Sequence, residues 1–304
     1  MSVLVVGAGE LGTATLEALV KHQQRRGAQV SVLLRQETID SNDDIKKASI
    51  SHIKDLGINI EPGDFAKDPS GLVAVFQKYK TVIQCAGYGM KPGTQLGVTR
   101  AVLEAQVPHY FPWQFGVDYE AIGAGSSQPL FDEMLQVRGL LRSQNKTSWT
   151  IISAGLFMSY LFLPDFEVAD LKSGRVCALG SWATRVTVTT PEDIGVMVAE
   201  ATFVPEGTIN QVVYIGGDTI SYGQLADLVD EVLKTRVQRE ELTIAALKDK
   251  LAKNPEDLWT KYQIIFGEGI GIAWDYEKTL NYQRGIQLTT AKTYLENLES
   301  VFTK

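Results

Sequence analysis

The chain has 304 residues, 44% of them hydrophobic and 21% charged, with a formal net charge of −7. That length buries a substantial core, as one large domain or a large one with a small annex. The acidic balance supports solubility and argues against nucleic acid as a main partner, because phosphate binding needs clustered Lys and Arg.

Through the first 155 residues short apolar runs alternate with helical patterns, the signature of strand–helix–strand units around a parallel sheet. Strands are predicted at Val3–Val6, Val30–Leu34, Ile58–Glu61, Thr81–Cys85, His109–Phe111 and Thr150–Ser153. Helices are predicted between them, at Leu11–Arg25, Asp43–Leu56, Pro69–Lys78, Gly93–Ala105 and Phe131–Ser143. Six strands with intervening helices give an α/β fold with a doubly wound parallel sheet of the Rossmann type, over residues 1–155. After Gly155 the rhythm changes. "RVTVTTPEDIG" reads as a strand entering a helix, with Thr190 as cap, Pro191 in first position and Asp193 able to reach back. "QVVYIGG" is another strand, and Ser221 and Gln224 stand at capping-box spacing. Residues 156–304 are therefore read as a smaller mixed α/β substrate-binding region packed on the sheet's carboxyl edge.

The opening segment "SVLVVGAGELG" carries the first chemical signal. An apolar strand runs into Gly7, Gly9 and Gly12, and a helix starts at once. The first glycine permits a tight turn, the second lets backbone approach a pyrophosphate, and the third lets helix pack on strand. The amide groups of Glu10 and Leu11 then face the anion at the helix N-terminus. The residue after the second strand selects the cofactor. An NAD site wants a carboxylate there, whereas "SVLLRQ" offers Arg35, whose guanidinium suits the 2′-phosphate of NADPH. Lys46 and Lys47 add charge nearby or are solvated faces of their helix. Asp64, within "GDF" after the third strand, lies where the adenine would pass. Cys85, Ala86 and Gly87, in "QCAGYG" after the fourth, are small enough for ribose and phosphate to lie close. Nothing basic activates Cys85, so its thiol is read as a packing group.

Elsewhere the sequence is plain. Cys85 and Cys177 are too few for a disulfide framework, and the histidines His22, His52 and His109 are too scattered for a zinc site. No stretch is long enough to span a bilayer, and the N-terminus has no cleavage-site pattern. A cytoplasmic monomer or homodimer acting on a small molecule, with no metal, nucleic acid or membrane, is the expectation.

At "HYFPWQFGVDY" (His109–Tyr119) the chain resembles the NmrA-like and isoflavone reductase-like group, an atypical branch of the short-chain dehydrogenases, and the resemblance covers nearly the whole chain, including the glycine loop and the arginine after the second strand. "FPWQFG" stands where that family carries a Pro-Ser-Glu-Phe-Gly-like turn. The resemblance continues through "LFDEMLQVRGLLRSQ", "WTIISAGLFMSYL", "TVTTPEDIG" and "NYQRGIQLTTAKTYLENL". It implies NADPH lying across the sheet with its nicotinamide beside Pro112, Trp113, Gln114, Phe115 and Gly116, and Phe157 packing near the ring or the substrate. A flat, water-poor wall of this kind suits hydride transfer. Met158 and Tyr160, in "LFMSYLFLPDF", belong to an apolar segment fit to line a substrate cleft, with Gly116 and Met134 beside them.

One departure matters. The family's reductases carry a lysine in a Phe-Asp-Glu-Lys-like run, and here the run is "FDEM", with Met134 in the lysine's place. A thioether neither donates a proton nor carries charge. If the protein reduces its substrate, another group handles the proton, and Tyr88, Lys91 and Tyr119 (beside Asp118) are the candidates. The alternatives are an NADPH-binding enzyme of non-redox chemistry, such as cyclisation or isomerisation, and a dinucleotide-sensing regulator without turnover.

Overall fold

The computed structural model describes residues 1–87 and 89–302, the last four of these by backbone alone. In chain order the first half comprises β1 (Ser2–Val6), α1 (Glu10–Lys21), β2 (Gln29–Leu34), α2 (Gln36–Ile39), α3 (Asp44–Asp55) and β3 (Asn59–Pro62). It continues with α4 (Val73–Phe76), β4 (Thr81–Gln84), α5 (Thr94–Glu104), β5 (His109–Phe111), α6 (Tyr119–Ile122), α7 (Leu130–Arg142) and β6 (Ser148–Ser153). The second half has β7 (Leu156–Phe157), β8 (Ala169–Asp170), β9 (Arg175–Leu179), β10 (Arg185–Thr189), α8 (Pro191–Phe203), β11 (Gln211–Tyr214) and β12 (Asp218–Ser221). After these come α9 (Tyr222–Leu233), β13 (Gln238–Leu242), α10 (Ile244–Lys253), α11 (Leu258–Glu268), α12 (Leu280–Arg284) and α13 (Ala291–Phe302).

Two compact units share the chain. The first takes residues 1–115, 133–152 and 194–213, and the second takes 116–132, 153–193 and 214–304. The units interleave, so no single cut near residue 155 separates them.

The first unit is built on a sheet of order β11-β6-β5-β4-β1-β2-β3. β1 pairs in parallel with β2 (Val3 opposite Val30) and with β4 (Val3 opposite Thr81). The remaining pairs among β1 to β6 are parallel too. Helices cover both faces of such a sheet, so the interior strand β1 has no solvent side and Val3 to Val6 are completely buried. Leu4, Val6, Leu33, Phe76, Val98 and Tyr110 are part of one contiguous core. The chain runs outward through β2 and β3, then crosses back to lay β4 on the other side of β1. This reversal is the switch point where sheets of this type bind ligands. A seventh strand was not expected: "QVVY" joins the sheet beside β6 rather than remaining in the later region.

Local chemistry explains two further differences. The predicted helix from Leu11 to Arg25 stops at Lys21, because His22 is extended and its Nδ1 accepts the Gln24 N–H (3.1 Å) to start a separate 3₁₀ turn. The predicted helix over 69–78 is a 3₁₀ turn followed by the short α4. There the Asp68 carboxylate accepts from the Ser70 hydroxyl (2.8 Å) and the Gly71 N–H (3.0 Å), fixing a tight entry.

The second unit holds two three-stranded sheets, β12-β10-β7 and β13-β9-β8. The expected capping box at Ser221 and Gln224 is formed in both directions. Thr190 Oγ1 caps α8 by accepting the Asp193 N–H at 3.1 Å, but Asp193 does not reach back: its carboxylate accepts the Thr289 N–H at 2.8 Å. No described helix is long and apolar enough to cross a membrane.

Candidate cofactor site

The glycine loop sits at the switch point, between the ends of β1 and α1. Gly7 has φ +88°, and a Cβ there would stand 2.5 Å from that of Ala86 on the β4 loop. A Cβ on Gly12 would come within 2.1 Å of the Gly7 carbonyl, so helix and turn touch only because Gly12 lacks a side chain. Gly9 differs. It is exposed, caps α1 with no side-chain hydrogen bond, and a Cβ there would meet no protein atom within 4 Å. The first intrahelical bond runs from the Thr13 N–H to the Gly9 carbonyl (2.9 Å), which leaves the amide groups of Glu10, Leu11 and Gly12 pointing out of the helix end. Leu11 itself is buried, so only its backbone faces that end. An open cradle bounded by glycines, with outward N–H groups, fits a pyrophosphate.

The other cofactor candidates of this unit fall at neighbouring strand ends. Arg35 closes β2, is exposed, and forms no side-chain hydrogen bond or ion pair among the described residues. Lys46 and Lys47 are exposed on α3. Asp64, after β3, is half-buried, and its carboxylate closes a turn by accepting the Ala66 and Lys67 N–H groups, both at 3.1 Å. Cys85, after β4, is buried with its Sγ 3.6 Å from Thr15 Oγ1, and burial pushes its thiol up to about 12. A Cβ on Gly87 would fall 2.2 Å from the Trp113 ring, so the indole of the β5 turn lies directly against the β4 loop.

The rest of that turn faces inward. Pro112, Gln114 and Phe115 are buried. The Gln114 Nε2 donates to the Met134 carbonyl (3.0 Å), while its Oε1 accepts from Nε of the buried Arg138 (2.8 Å). Met134 is completely buried. Among the turn residues of this unit the half-buried Trp113 therefore offers a side-chain face, and Gln114 and Met134 anchor the turn to α7 instead.

Four polar groups here were not singled out from sequence. The Glu133 carboxylate caps α5, accepting from the N–H groups of Gly93 (2.9 Å), Gln95 (2.8 Å) and Leu96 (3.2 Å). Beneath the β4 loop, the Tyr110 hydroxyl donates to Gln84 Oε1, and Gln84 Nε2 donates to Gln95 Oε1 at 2.5 Å. An amide inside an otherwise apolar strand, "TVIQ", was the available sequence signal for this chain of bonds.

Lys91 is exposed on the loop after β4. Tyr88 lies outside the described residues. The remaining candidates belong to the second unit. The Gly116 carbonyl accepts from the N–H groups of Ala154 (2.9 Å) and Gly155 (3.0 Å). Tyr119 is buried, edge-on to Phe131 with centroids 4.9 Å apart. The Asp118 carboxylate caps α6 and accepts from the Tyr214 hydroxyl at 2.7 Å. Half-buried Phe157 and Tyr160 lie 5.8 Å apart, and Tyr160 meets Trp259 edge-on at 6.0 Å. Met158, expected in a substrate cleft, is completely buried.

Comparison with known proteins gives the family and the fold. The NmrA-like family profile matches residues 1–280. An NmrA-like family domain-containing oxidoreductase from Gibberella moniliformis is 50% identical over 301 residues, 99% of each chain. Among solved structures, an isoflavone reductase superposes with TM-score 0.81 at 19% identity, covering 98% of this chain and 99% of that one. A leucoanthocyanidin reductase–NADPH complex from Vitis vinifera gives TM-score 0.80 at 16% identity, covering 98% and 99%.

Proposed function

Because the chain belongs to the NmrA-like family, we propose that it is an NADPH-dependent reductase acting on a C=O, C=C or C=N bond of a small, flat metabolite, aromatic or polycyclic. The observation that carries the reading is Arg35, an exposed guanidinium at the end of β2 with no partner among the described residues, followed by Gln36 rather than an acid. A relative named as an oxidoreductase and a similar fold crystallised with NADPH support it.

NADPH supplies a hydride when bound. The chain's own residues do the rest. The α1 amide groups and open Gly9 would hold the pyrophosphate, Arg35 would pair with the 2′-phosphate, and the Trp113 face would exclude water beside the β4 loop. Phe157, Tyr160 and Trp259 of the second unit are apolar ring edges suited to a flat substrate rather than a sugar. Lys91 is the described candidate whose side chain reaches solvent, and it is the first choice as proton donor.

The sealed thioether of Met134, where the family's reductases carry lysine, favours a second reading: NADPH binding with isomerisation or sensing instead of reduction. One experiment separates them. The protein is incubated with NADPH and a panel of aromatic and polycyclic ketones, enones and imines, while 340 nm absorbance and product masses are followed. NADPH oxidation with a product two mass units heavier is the expected result. A product of unchanged mass, with NADPH intact, would sink the reductase reading. Calorimetric titration checks the cofactor itself: NADPH binds about ten- to a hundredfold more tightly than NADH, and Arg35→Ala erases the difference.

A further inference from the structure

Gln95 is 3% exposed, and its Nε2 has no hydrogen-bond acceptor among the described residues. Burying an amide N–H without a partner carries a cost of about 1–3 kcal/mol, so native folds rarely leave one idle unless something binds there. The orientation of this amide is fixed from behind. Tyr110 donates to Gln84 Oε1, which turns Gln84 Nε2 toward both the Ala86 carbonyl (3.5 Å) and Gln95 Oε1 (2.5 Å). With its oxygen held by Gln84, Gln95 presents a donor and no acceptor to the other side.

That other side is Gly87. A Cβ built there would lie 2.4 Å from Gln95 Nε2 and 2.2 Å from the Trp113 ring, so amide nitrogen and indole flank one bare Cα at the carboxyl end of β4. Across the sheet Arg35 ends β2, the glycine loop follows β1, and this corner follows β4, on the opposite side of the switch point from Arg35. A dinucleotide with its pyrophosphate on the loop and its 2′-phosphate on Arg35 extends its other half over β4.

We propose that the Gln95 side-chain amide donates a hydrogen bond to an oxygen of the nicotinamide–ribose half of NADPH. The assignment rests on the cofactor reading above and goes beyond it by naming a donor from α5. It makes Gln95 a binding residue for one half of the cofactor only.

The test compares NADPH with 2′,5′-ADP, which carries the adenosine half and the 2′-phosphate but no nicotinamide riboside. Gln95→Glu keeps an oxygen for Gln84 and removes the N–H donor. It is expected to weaken NADPH about tenfold in calorimetric titration while 2′,5′-ADP binds as it does to the unmodified protein. Gln95→Met removes the amide without adding charge and carries the same expectation should Gln95→Glu fail to fold. Equal losses for both ligands, or unchanged affinity for NADPH, would overturn the proposal while leaving the cofactor site standing. Failure of the unmodified protein to bind either ligand would overturn the cofactor reading as well.

Discussion

Gly9, the N-cap of α1, and Gly12 in its first turn stand three residues apart, and opposite constraints keep them small. At Gly12 the obstacle is the protein's own Gly7 carbonyl, 2.1 Å from any Cβ. At Gly9 a Cβ would meet no protein atom within 4 Å, and φ of −76° strains no side chain, so the fold itself leaves the position open. Gly12→Val is therefore expected to destabilise the fold by about 1–3 kcal/mol, read as a fall in the thermal midpoint. Gly9→Val is expected to keep that midpoint and lose NADPH binding in titration. His109 gives a second prediction. Its Nε2 lies 2.9 Å from Thr150 Oγ1, whose hydroxyl donates onward to the Thr208 carbonyl (3.0 Å), so the imidazole must donate to Thr150. Burial lowers its pKa to about 4. Below about pH 6.5 the unfolded chain takes up a proton that the folded chain refuses. Stability from this group is full above that pH, declines as pH falls toward 4 and is flat below, a total of about 3 kcal/mol. Urea unfolding at pH 7 and 4.5 checks it: His109→Gln should lose less stability between the two than the unmodified protein. Glycine spacing and Arg35 were legible in the sequence because their meaning is local. The donor on Gln95 was not, since its orientation depends on Gln84 and Tyr110, on the two neighbouring strands β4 and β5. Met134 was half legible: its chemistry follows from its identity, its complete burial does not.

At the scale of elements, α5 begins without a capping residue of its own. Gly93, its N-cap, has no side chain, and the end is closed by Glu133 from α7, a carboxylate among three outward N–H groups. That anion also meets the positive end of the helix dipole. Glu133→Ala is expected to cost about 1–2 kcal/mol and to speed hydrogen exchange at the amides of Gly93, Gln95 and Leu96 ahead of the rest of α5. Unaltered exchange there would show that the cap is dispensable. Such a cap escapes sequence reading because donor and acceptor are 38 residues apart at Gln95. The central strands were legible, since a sheet covered on both faces leaves unbroken apolar runs such as Val3–Val6. β11 was legible as a strand but not as a member of this sheet, because alternation reveals a strand and not its neighbour.

On the scale of the molecule, residues 194–213 return to the first unit after an excursion of some forty residues through the second. Their return brings α8 against α1 so closely that a Cβ on Gly195 would stand 2.7 Å from the Ala14 carbonyl group, and it sets β11 beside β6. A fragment ending at residue 155 lacks both. It is expected to bind a hydrophobic dye and self-associate in size-exclusion chromatography, where the full chain runs as a defined species. A monomeric, dye-free fragment would show that β6 tolerates a bare edge.

The placement of β11 also separates the order in which the sheet is made from the order in which it is finished. A ribosome has delivered β1 to β6 once Ser153 is out, yet the neighbour of β6 arrives only with Gln211–Tyr214. At roughly 5–20 residues per second that interval lasts about 3–12 s, far longer than hairpins or helices need to form. For those seconds the nascent protein carries an unsealed strand on its last-made edge. The chain's vulnerability during synthesis is thus set by where one four-residue segment falls in the message.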